Sequence, residues 1–349
     1  MVKRKLIMKR KGLLLLLYAL ALSALTGCGS NDGVVEYNIP IVNRSNEPFS
    51  FDDHFRKPKR VNVDFDDEFP VSMITDVVIT NRYAFILDAN RKLSKIDLRK
   101  RKVVNQIPTK RSQVVLSYYD EHLYILGLGE NCIVYEYDLN LNRTDSILVK
   151  NMNASSFCRM KEGFIFLNSR ETSNRGKYVI TNKTLTRGVS FVKVGAQYKP
   201  YNKYEPTMIY TSEVFIRGSF GKVMCFDLEN NDGYLYDGEK IKKNFHIVTD
   251  VPDPDEVSFR GAQVIYASKG NIIFNYFTAD FKEQFAYFDK HHNLVAQGPS
   301  DEPSENGLLK YRYRQAGRKL VRIHMVIPEE PGDYPYKPTQ AQFEFFKLK

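Results

Sequence analysis

The chain has 349 residues, with 51 Lys and Arg against 41 Asp and Glu, a formal net charge of +10 and four cysteines. A chain of this length can bury a large hydrophobic core, so it does not need disulfides to fold. Aromatic residues make up 13% of it and lie mostly in runs that alternate as β-strands do, which favours a β-rich globular protein.

The N-terminus has the layout of a secretory signal. Six basic residues lie within the first eleven positions, and an apolar run follows from Leu13 to Leu25. As a helix this run would rise about 20 Å, short of the roughly 30 Å hydrocarbon core of a bilayer. A cleaved signal therefore fits better than a membrane span.

The residues after the apolar run indicate how the signal is processed. Leu25-Thr26-Gly27-Cys28 resembles the bacterial lipoprotein box, which implies that Cys28 is lipidated and becomes the first mature residue. The alternative is an incidental cysteine in a simple signal peptide. We expect a lipoprotein signal peptide at 1–27, a tether at 28–48 and a single domain at 49–349, with the membrane as a partner through the N-terminal lipid.

Cleavage changes the charge balance. Six basic residues and no acidic ones are lost, which leaves 45 basic against 41 acidic residues, so most of the excess positive charge belongs to the signal. The basic runs at 56–60 and 99–102 are expected to be solvated turns, and no nucleic acid partner is expected. Lipidation of Cys28 would leave three widely spaced cysteines, which argues against a disulfide framework.

A turn pattern recurs along the rest of the chain. Apolar strands end repeatedly in an Asp or Asn, at positions 97, 138, 182, 227 and 289, in steps of 41, 44, 45 and 62 residues. A side chain of this kind can accept hydrogen bonds from backbone N–H groups two residues further on, which opens a hairpin. These residues are therefore predicted to form turns rather than to bind ligands.

A second, more continuous apolar strand precedes each of these turns. Such strands are expected in sheets that are covered on both faces. They lie at 83–87, 123–126, 164–167, 214–216, 271–274 and 319–327. Units of roughly 40 to 60 residues with about four strands each are typical of propeller blades.

The ends of the chain complete the count of six units. The last unit stops at its third strand, at 342–349, and an open edge there would invite unwanted pairing. An alternating segment, Arg60 to Phe65, precedes the first complete unit and can supply the missing strand. The predicted fold is all-β: a six-bladed β-propeller closed by pairing an N-terminal strand with the C-terminal blade.

These features together resemble a known family. The signal and lipobox, the FDDHF segment at 51–55, the VNVDF strand at 61–65 and six loosely similar blades resemble the exported six-bladed, TolB-like propeller lipoproteins of Bacteroides-type bacteria. The resemblance implies a propeller at the cell envelope. It implies no particular activity and supplies no catalytic residues. The glycine-rich linkers of NHL-like propellers are missing from this chain.

Enzymatic signatures are weak. Acidic clusters occur at 52–53, 64–68, 253–256 and 301–302. Glycoside hydrolysis needs two carboxylates roughly 5 to 9.5 Å apart, whereas these crowded clusters fit solvated loops better. The six histidines form no H-E-x-x-H motif, and no G-x-S-x-G elbow, P-loop or dinucleotide fingerprint is present. No catalytic residue, metal or cofactor is therefore expected.

Binding is the remaining function, and propeller geometry predicts its location. The loops that join the second and third strands of each blade gather on one face. These loops carry arginines and aromatic rings, which suit carboxylates, sugars or peptides. The candidate ligand-binding residues are Arg91, Arg170, Arg175, Arg217, Tyr276 and Phe277.

Two hypotheses stay open. The first is a non-catalytic binding or scaffold module for an envelope protein or glycan. The second is a propeller hydrolase or lyase that acts on a polysaccharide. In both, the protein is lipid-anchored in the cell envelope, and we expect the outer membrane, on its periplasmic or surface side.

Overall fold

The computed structural model describes residues 33–109, 113–127, 132–149, 154–160, 163–168, 178–181, 190–192, 216–217, 223–227, 232–236, 241–250, 260–278, 282–300, 311–327 and 337–349. The chain divides into two compact units, Met1–Val35 and Glu36–Lys349. Cys28 lies outside the described residues. Among the described residues, no helix is long and apolar enough to cross a bilayer.

The fold is nearly all β. The first third of the chain contains β1 (Val35–Ile39), α1 (Phe51–His54), β2 (Phe55–Asp64), β3 (Ile74–Ile79), β4 (Tyr83–Asp88), β5 (Lys92–Asp97), β6 (Lys102–Pro108), β7 (Gln113–Tyr119) and β8 (His122–Gly127). The middle contains β9 (Cys132–Tyr137), β10 (Arg143–Val149), β11 (Ala154–Met160), β12 (Gly163–Asn168), β13 (Tyr178–Thr181), β14 (Ser190–Val192), β15 (Ile216–Arg217), β16 (Val223–Asp227), β17 (Asp232–Tyr236) and β18 (Ile241–Thr249). The last third contains β19 (Arg260–Ser268), β20 (Asn271–Phe277), β21 (Glu283–Phe288), β22 (Leu294–Pro299), β23 (Tyr311–Ala316), β24 (Lys319–Val326) and β25 (Gln340–Leu348).

The described strands form six sheets. Four sheets are meanders of consecutive strands, β3 to β6, β7 to β10, β11 to β14 and β19 to β22. The sheet of β15 to β18 gains β1 beside β18 as a fifth strand, and the sheet of β23 to β25 gains β2 beside β25. Consecutive strands within each sheet pair antiparallel. These antiparallel sheets are consistent with a propeller.

The N-terminal strand β2 lies on the last sheet. It pairs antiparallel with β25, in a register that places Val61 opposite Phe343 and Val63 opposite Ala341. All four of these side chains are buried in one hydrophobic cluster. The buried Glu344 of β25 also joins the strands, because its carboxylate receives hydrogen bonds from Arg60 of β2 and Arg322 of β24. This is the contact that the sequence predicts between residues 60–65 and 342–349.

The core lies between neighbouring sheets, which explains the continuous apolar strands. In β4, every residue from Ala84 to Asp88 is buried. The side chains of β3 to β6 pack against the last sheet in one cluster, and those of β19 to β22 pack against the other side of the last sheet in a second. Each large apolar side chain buried in this way contributes roughly 1.5 to 3 kcal/mol.

The first strands of successive sheets contact one another. β23 contacts β19 and β3, while β7 contacts β3 and β11, and β15 contacts β19. Four of these strands carry a bulge near their start, between Ile74 and Asp76, Gln113 and Val115, Ala154 and Ser156, and Arg260 and Gln263. A bulge bends and twists its strand. The repeated position shows that the units share local geometry despite their different sequences.

Part of the expected tether at 28–48 is folded. Tyr37 of β1 is buried, with its ring against those of Phe245, Phe274 and Phe288. Further along, the Asp250 carboxylate accepts hydrogen bonds from the backbone N–H groups of residues 41–43. Aromatic packing and backbone capping hold this stretch, so the folded body begins before residue 49.

Candidate binding surfaces

The recurring aspartates have the role that the sequence predicts. Asp97 accepts hydrogen bonds from the N–H groups of residues 99 and 100, Asp138 from those of 140 and 142, and Asp289 from those of 291 and 293. These donors lower the pKa of Asp289, that of Asn293 most strongly. The turn-forming prediction is confirmed at these three positions, and Asn182 lies outside the described residues.

The predicted ligand face is only partly described. Arg91 is exposed in the turn between β4 and β5, with a φ of 60°, which suits a tight connection. Arg217 lies in β15, the first strand of its sheet, and not in the predicted loop between second and third strands, whereas Arg170 and Arg175 lie outside the described residues. Phe277 is half-buried at the end of β20. Arg91 and Phe277 are thus the predicted residues with described, accessible side chains.

Tyr276 corrects the prediction. It belongs to β20 rather than to a loop, and its side chain is 0% exposed. Burial raises the pKa of its hydroxyl to about 12. That hydroxyl accepts a 2.6 Å hydrogen bond from Nε2 of Gln297, which also donates to the Pro40 carbonyl. Tyr276 therefore supports the fold and does not present its ring to a ligand.

A buried aspartate ties three sheets together at their first strands. Asp76 of β3 accepts a 2.6 Å hydrogen bond from the N–H of Leu116 in β7 and a 2.8 Å hydrogen bond from Arg314 in β23. It also accepts from the N–H of Val77 in its own strand. One carboxylate thus contacts the sheets on both sides of its own.

A second arginine lies beside this carboxylate. Arg312 donates from Nη1 to the Thr75 carbonyl at 3.2 Å. Arg312 of β23 contacts Thr75 of β3, and Arg314, further along β23, contacts Asp76, further along β3. Residue numbers therefore increase in the same direction along the two strands, so β23 and β3 are parallel. The start of β3 pairs with Asp88, where the turn to β5 begins. Arg312 is therefore at the end of the strands where the second-to-third strand loop of this sheet lies.

The sequence contained a signal for this arginine pair. The segment Tyr311-Arg312-Tyr313-Arg314 alternates, and residues two apart in a strand share a face. Tyr311 and Tyr313 are buried in the cluster shared with the β19 to β22 sheet. The arginines therefore point to the other side, toward β3.

An open groove lies at the end of the strands opposite the loop between β4 and β5. The turn that contains Asp289 and the last residues of the chain are at this end. The groove has a volume of about 440 Å³, within the usual range for small-molecule sites. Its lining consists of Asp53, His54, Asn271, Tyr287, Asp289, Lys290, His291, Val295, Leu348 and Lys349. Burial lowers the pKa of His54, and its ring lies 4.9 Å from that of Tyr287. Arg91, Tyr276 and Phe277 are not among these lining residues.

The acidic clusters give no metal centre in the described part of the chain. The acidic residues at 52–53 and 64–68 are exposed, while 253–256 and 301–302 lie outside the described residues. Within the described ranges, no three His, Cys, Asp or Glu side chains are grouped so that they could hold a metal ion. Cys132 and Cys158 are buried.

Comparison with known proteins shows a likeness of fold. No family model and no curated protein matches the chain. A solved structure of a protein from Bacteroides fragilis, described as exported, is 12% identical over 90% of this chain and 99% of that one, with a TM-score of 0.63. Lower TM-scores of 0.44 and 0.48 relate the chain to a Bacteroides caccae protein of unknown function, 10% identical over 65% of this chain and 81% of that one, and to the N-terminal domain of Nup159, 9% identical over 90% and 100%.

Proposed function

We propose that this protein is a lipid-anchored, six-bladed β-propeller that acts as a non-catalytic binding or scaffold module for an envelope protein or glycan. In this proposal the six sheets form one ring, closed by β2 on the last sheet. The ring does not catalyse a reaction. It presents a binding surface that is formed by loops of several blades.

The contact of first strands with one another carries this proposal. Asp76 joins its own sheet to both neighbours, and β23 runs in the same direction as β3. Parallel first strands place equivalent loops of successive sheets at the same end, around a common axis. Loops on a rigid scaffold are the usual position of binding residues, so a partner that contacts one loop also meets its neighbours.

The ligand face belongs to this end of the ring. It comprises Arg91, Arg170, Arg175 and Phe277, without the buried Tyr276 and without Arg217, which lies in a first strand. Guanidinium groups can form paired hydrogen bonds with carboxylates, and an aromatic ring can stack on a sugar or a peptide side chain. The mixture suits a partner with polar and anionic groups.

The anchor and location form a further part of the proposal. Cys28 is the lipidation site, the polar residues 29–33 connect it to the domain, and the protein resides in the cell envelope at the outer membrane. The likeness in fold to a Bacteroides protein described as exported supports an exported location. Labelled palmitate should enter the wild type and be lost in Cys28→Ala, and incorporation into the variant would contradict lipidation at this position.

The binding function is tested by capture and by turnover in parallel. The lipidated protein, solubilised from its own membranes, should retain a protein or glycan partner without releasing a product. Arg91→Ala should weaken capture, while Arg318→Ala, an exposed arginine in the turn before β24, should not. Release of shortened oligosaccharides from an envelope polysaccharide would contradict the non-catalytic role and favour a hydrolase or lyase.

A further inference from the structure

The two arginines of β23 project from one face of a first strand. Arg312 and Arg314 are two residues apart, so both point toward the neighbouring strand β3. They meet its residues in order, with Arg312 at the Thr75 carbonyl and Arg314 at the Asp76 carboxylate. Two guanidinium groups therefore lie side by side where the two first strands adjoin.

The charges of this cluster do not balance. Among the described residues, Asp76 is the acidic residue that faces both arginines. Two guanidinium groups and one carboxylate give the cluster a net charge of +1. Its oxygens are already engaged by Arg314, Leu116 and Val77. Burial, together with the neighbouring Arg314 guanidinium, lowers the pKa of Arg312 to about 10. Arg312 stays protonated at neutral pH, in surroundings that would favour a second negative group.

The donors of Arg312 are also largely unused. A guanidinium has five N–H donors, and in the part of the chain that the structure describes its single hydrogen-bond acceptor is the Thr75 carbonyl. The side chain is partly exposed, and 28% of the Arg314 side chain is exposed as well. The pair can therefore be reached from solvent, on the first strands that line the axis of the proposed ring.

We infer that Arg312 and Arg314 form an anion-binding site that takes an oxyanion of the ligand, a carboxylate or a phosphate, at the mouth of the central channel. The inference rests on the proposed ring and deepens its binding function, because the pair lies at the end where the loop between β4 and β5 is located. Arg312 supplies the guanidinium N–H donors that make no hydrogen bond in the described part of the chain. Arg314 adds charge and is held in place by Asp76.

The experiment uses the full lipidated protein in detergent, labelled with ¹⁵N-arginine. Inorganic phosphate and glucuronate are titrated separately, with sodium chloride holding the ionic strength constant. At least one probe should shift the arginine side-chain signals saturably. Binding of glucuronate alone would indicate a carboxylate ligand, and binding of phosphate alone would indicate a phosphorylated one.

Variants separate anion binding from a structural role. Arg312→Gln should weaken binding at least tenfold, about 1.4 kcal/mol, and Arg312→Lys, which keeps the charge but not the fork, should recover part of it. The matched control Arg318→Gln should bind like the wild type. Equal affinity in Arg312→Gln and Arg318→Gln, no recovery in Arg312→Lys, or no binding by the wild type would overturn the inference.

The two proposals can fail separately. If the wild type binds neither anion but still captures its envelope partner, the anion site is wrong and the binding module stands. If the anion binds but no protein or glycan is captured, the proposed function fails and the anion site stands.

Discussion

The N-terminal segment should lose its attachment when Asp250 is neutralised. Its carboxylate accepts hydrogen bonds from the N–H groups of Ile41, Val42 and Asn43 and from the Asn43 side chain. The charge contributes to each of these bonds, so Asp250→Asn should weaken all of them together. Strand β1 and the residues after it would then open more often from the sheet of β15 to β18.

The magnitude follows from the acidity of Asp250. Burial acts to raise the pKa of Asp250, but the backbone N–H donors outweigh it and lower the pKa to about 2, from an ordinary value of 3.8. A difference of that size corresponds to about 2.4 kcal/mol. Because the residue is exposed, solvent screening reduces the expected effect to about 1 kcal/mol.

The pH dependence has a defined direction. A carboxylate with a lowered folded-state pKa stabilises the folded state above its unfolded pKa and loses that contribution as the pH falls through the folded value. The wild type should therefore lose about 1 kcal/mol between roughly pH 4 and pH 2. Asp250→Asn should lack this contribution at neutral pH and should not lose it on acidification.

Hydrogen exchange at residues 36–43 measures the effect directly. Protection should fall about fivefold in Asp250→Asn at neutral pH, as expected for about 1 kcal/mol. Asp52→Asn, at an exposed carboxylate of α1, is the control and should leave protection unchanged. Unaltered protection in Asp250→Asn would refute the view that this carboxylate holds the segment.

Three further variants test the packing of the sheets. A disulfide in Asn62→Cys/Gln342→Cys should form within one chain, because the two residues are directly opposite in β2 and β25; only intermolecular crosslinks on a non-reducing gel would count against that pairing. Glu344→Ala should lower the free energy of unfolding by about 3 to 5 kcal/mol in denaturant titrations, because it leaves two arginines without their buried carboxylate, and a loss below about 1 kcal/mol would contradict this. Gly298→Ala should increase hydrogen exchange in residues 36–48, since a Cβ there would clash with the Glu47 carbonyl oxygen, and wild-type exchange would refute the close approach.

Local chemistry made much of the fold predictable from the sequence. An aspartate after an apolar strand signals a turn because its acceptors reach the next N–H groups, and Asp97, Asp138 and Asp289 do this. The alternating segment at 60–65 matched the unfilled edge left by residues 342–349. Both patterns depend on neighbours in sequence or on strand period, which a single chain displays.

The features that were missed depend on contacts between distant segments. The stretch at 36–48 gave no sign that Asp250, more than 200 positions away, would cap it. Tyr276 appeared to lie in a loop because its strand is longer than the apolar run at 271–274, and its hydroxyl meets Gln297 only in the folded sheet. The arginine pair could not be recognised as a charged cluster from the sequence, because Arg312 and Arg314 meet Asp76 only when two sheets pack together.

A crystal structure of the mature chain, residues 28–349, tests the central claim of a closed ring most directly. The predicted result is six sheets around one axis, with the sheet of β11 to β14 next to that of β15 to β18 and with β2 beside β25. A different number of sheets, a gap in the ring, or β2 away from residues 342–349 would contradict it.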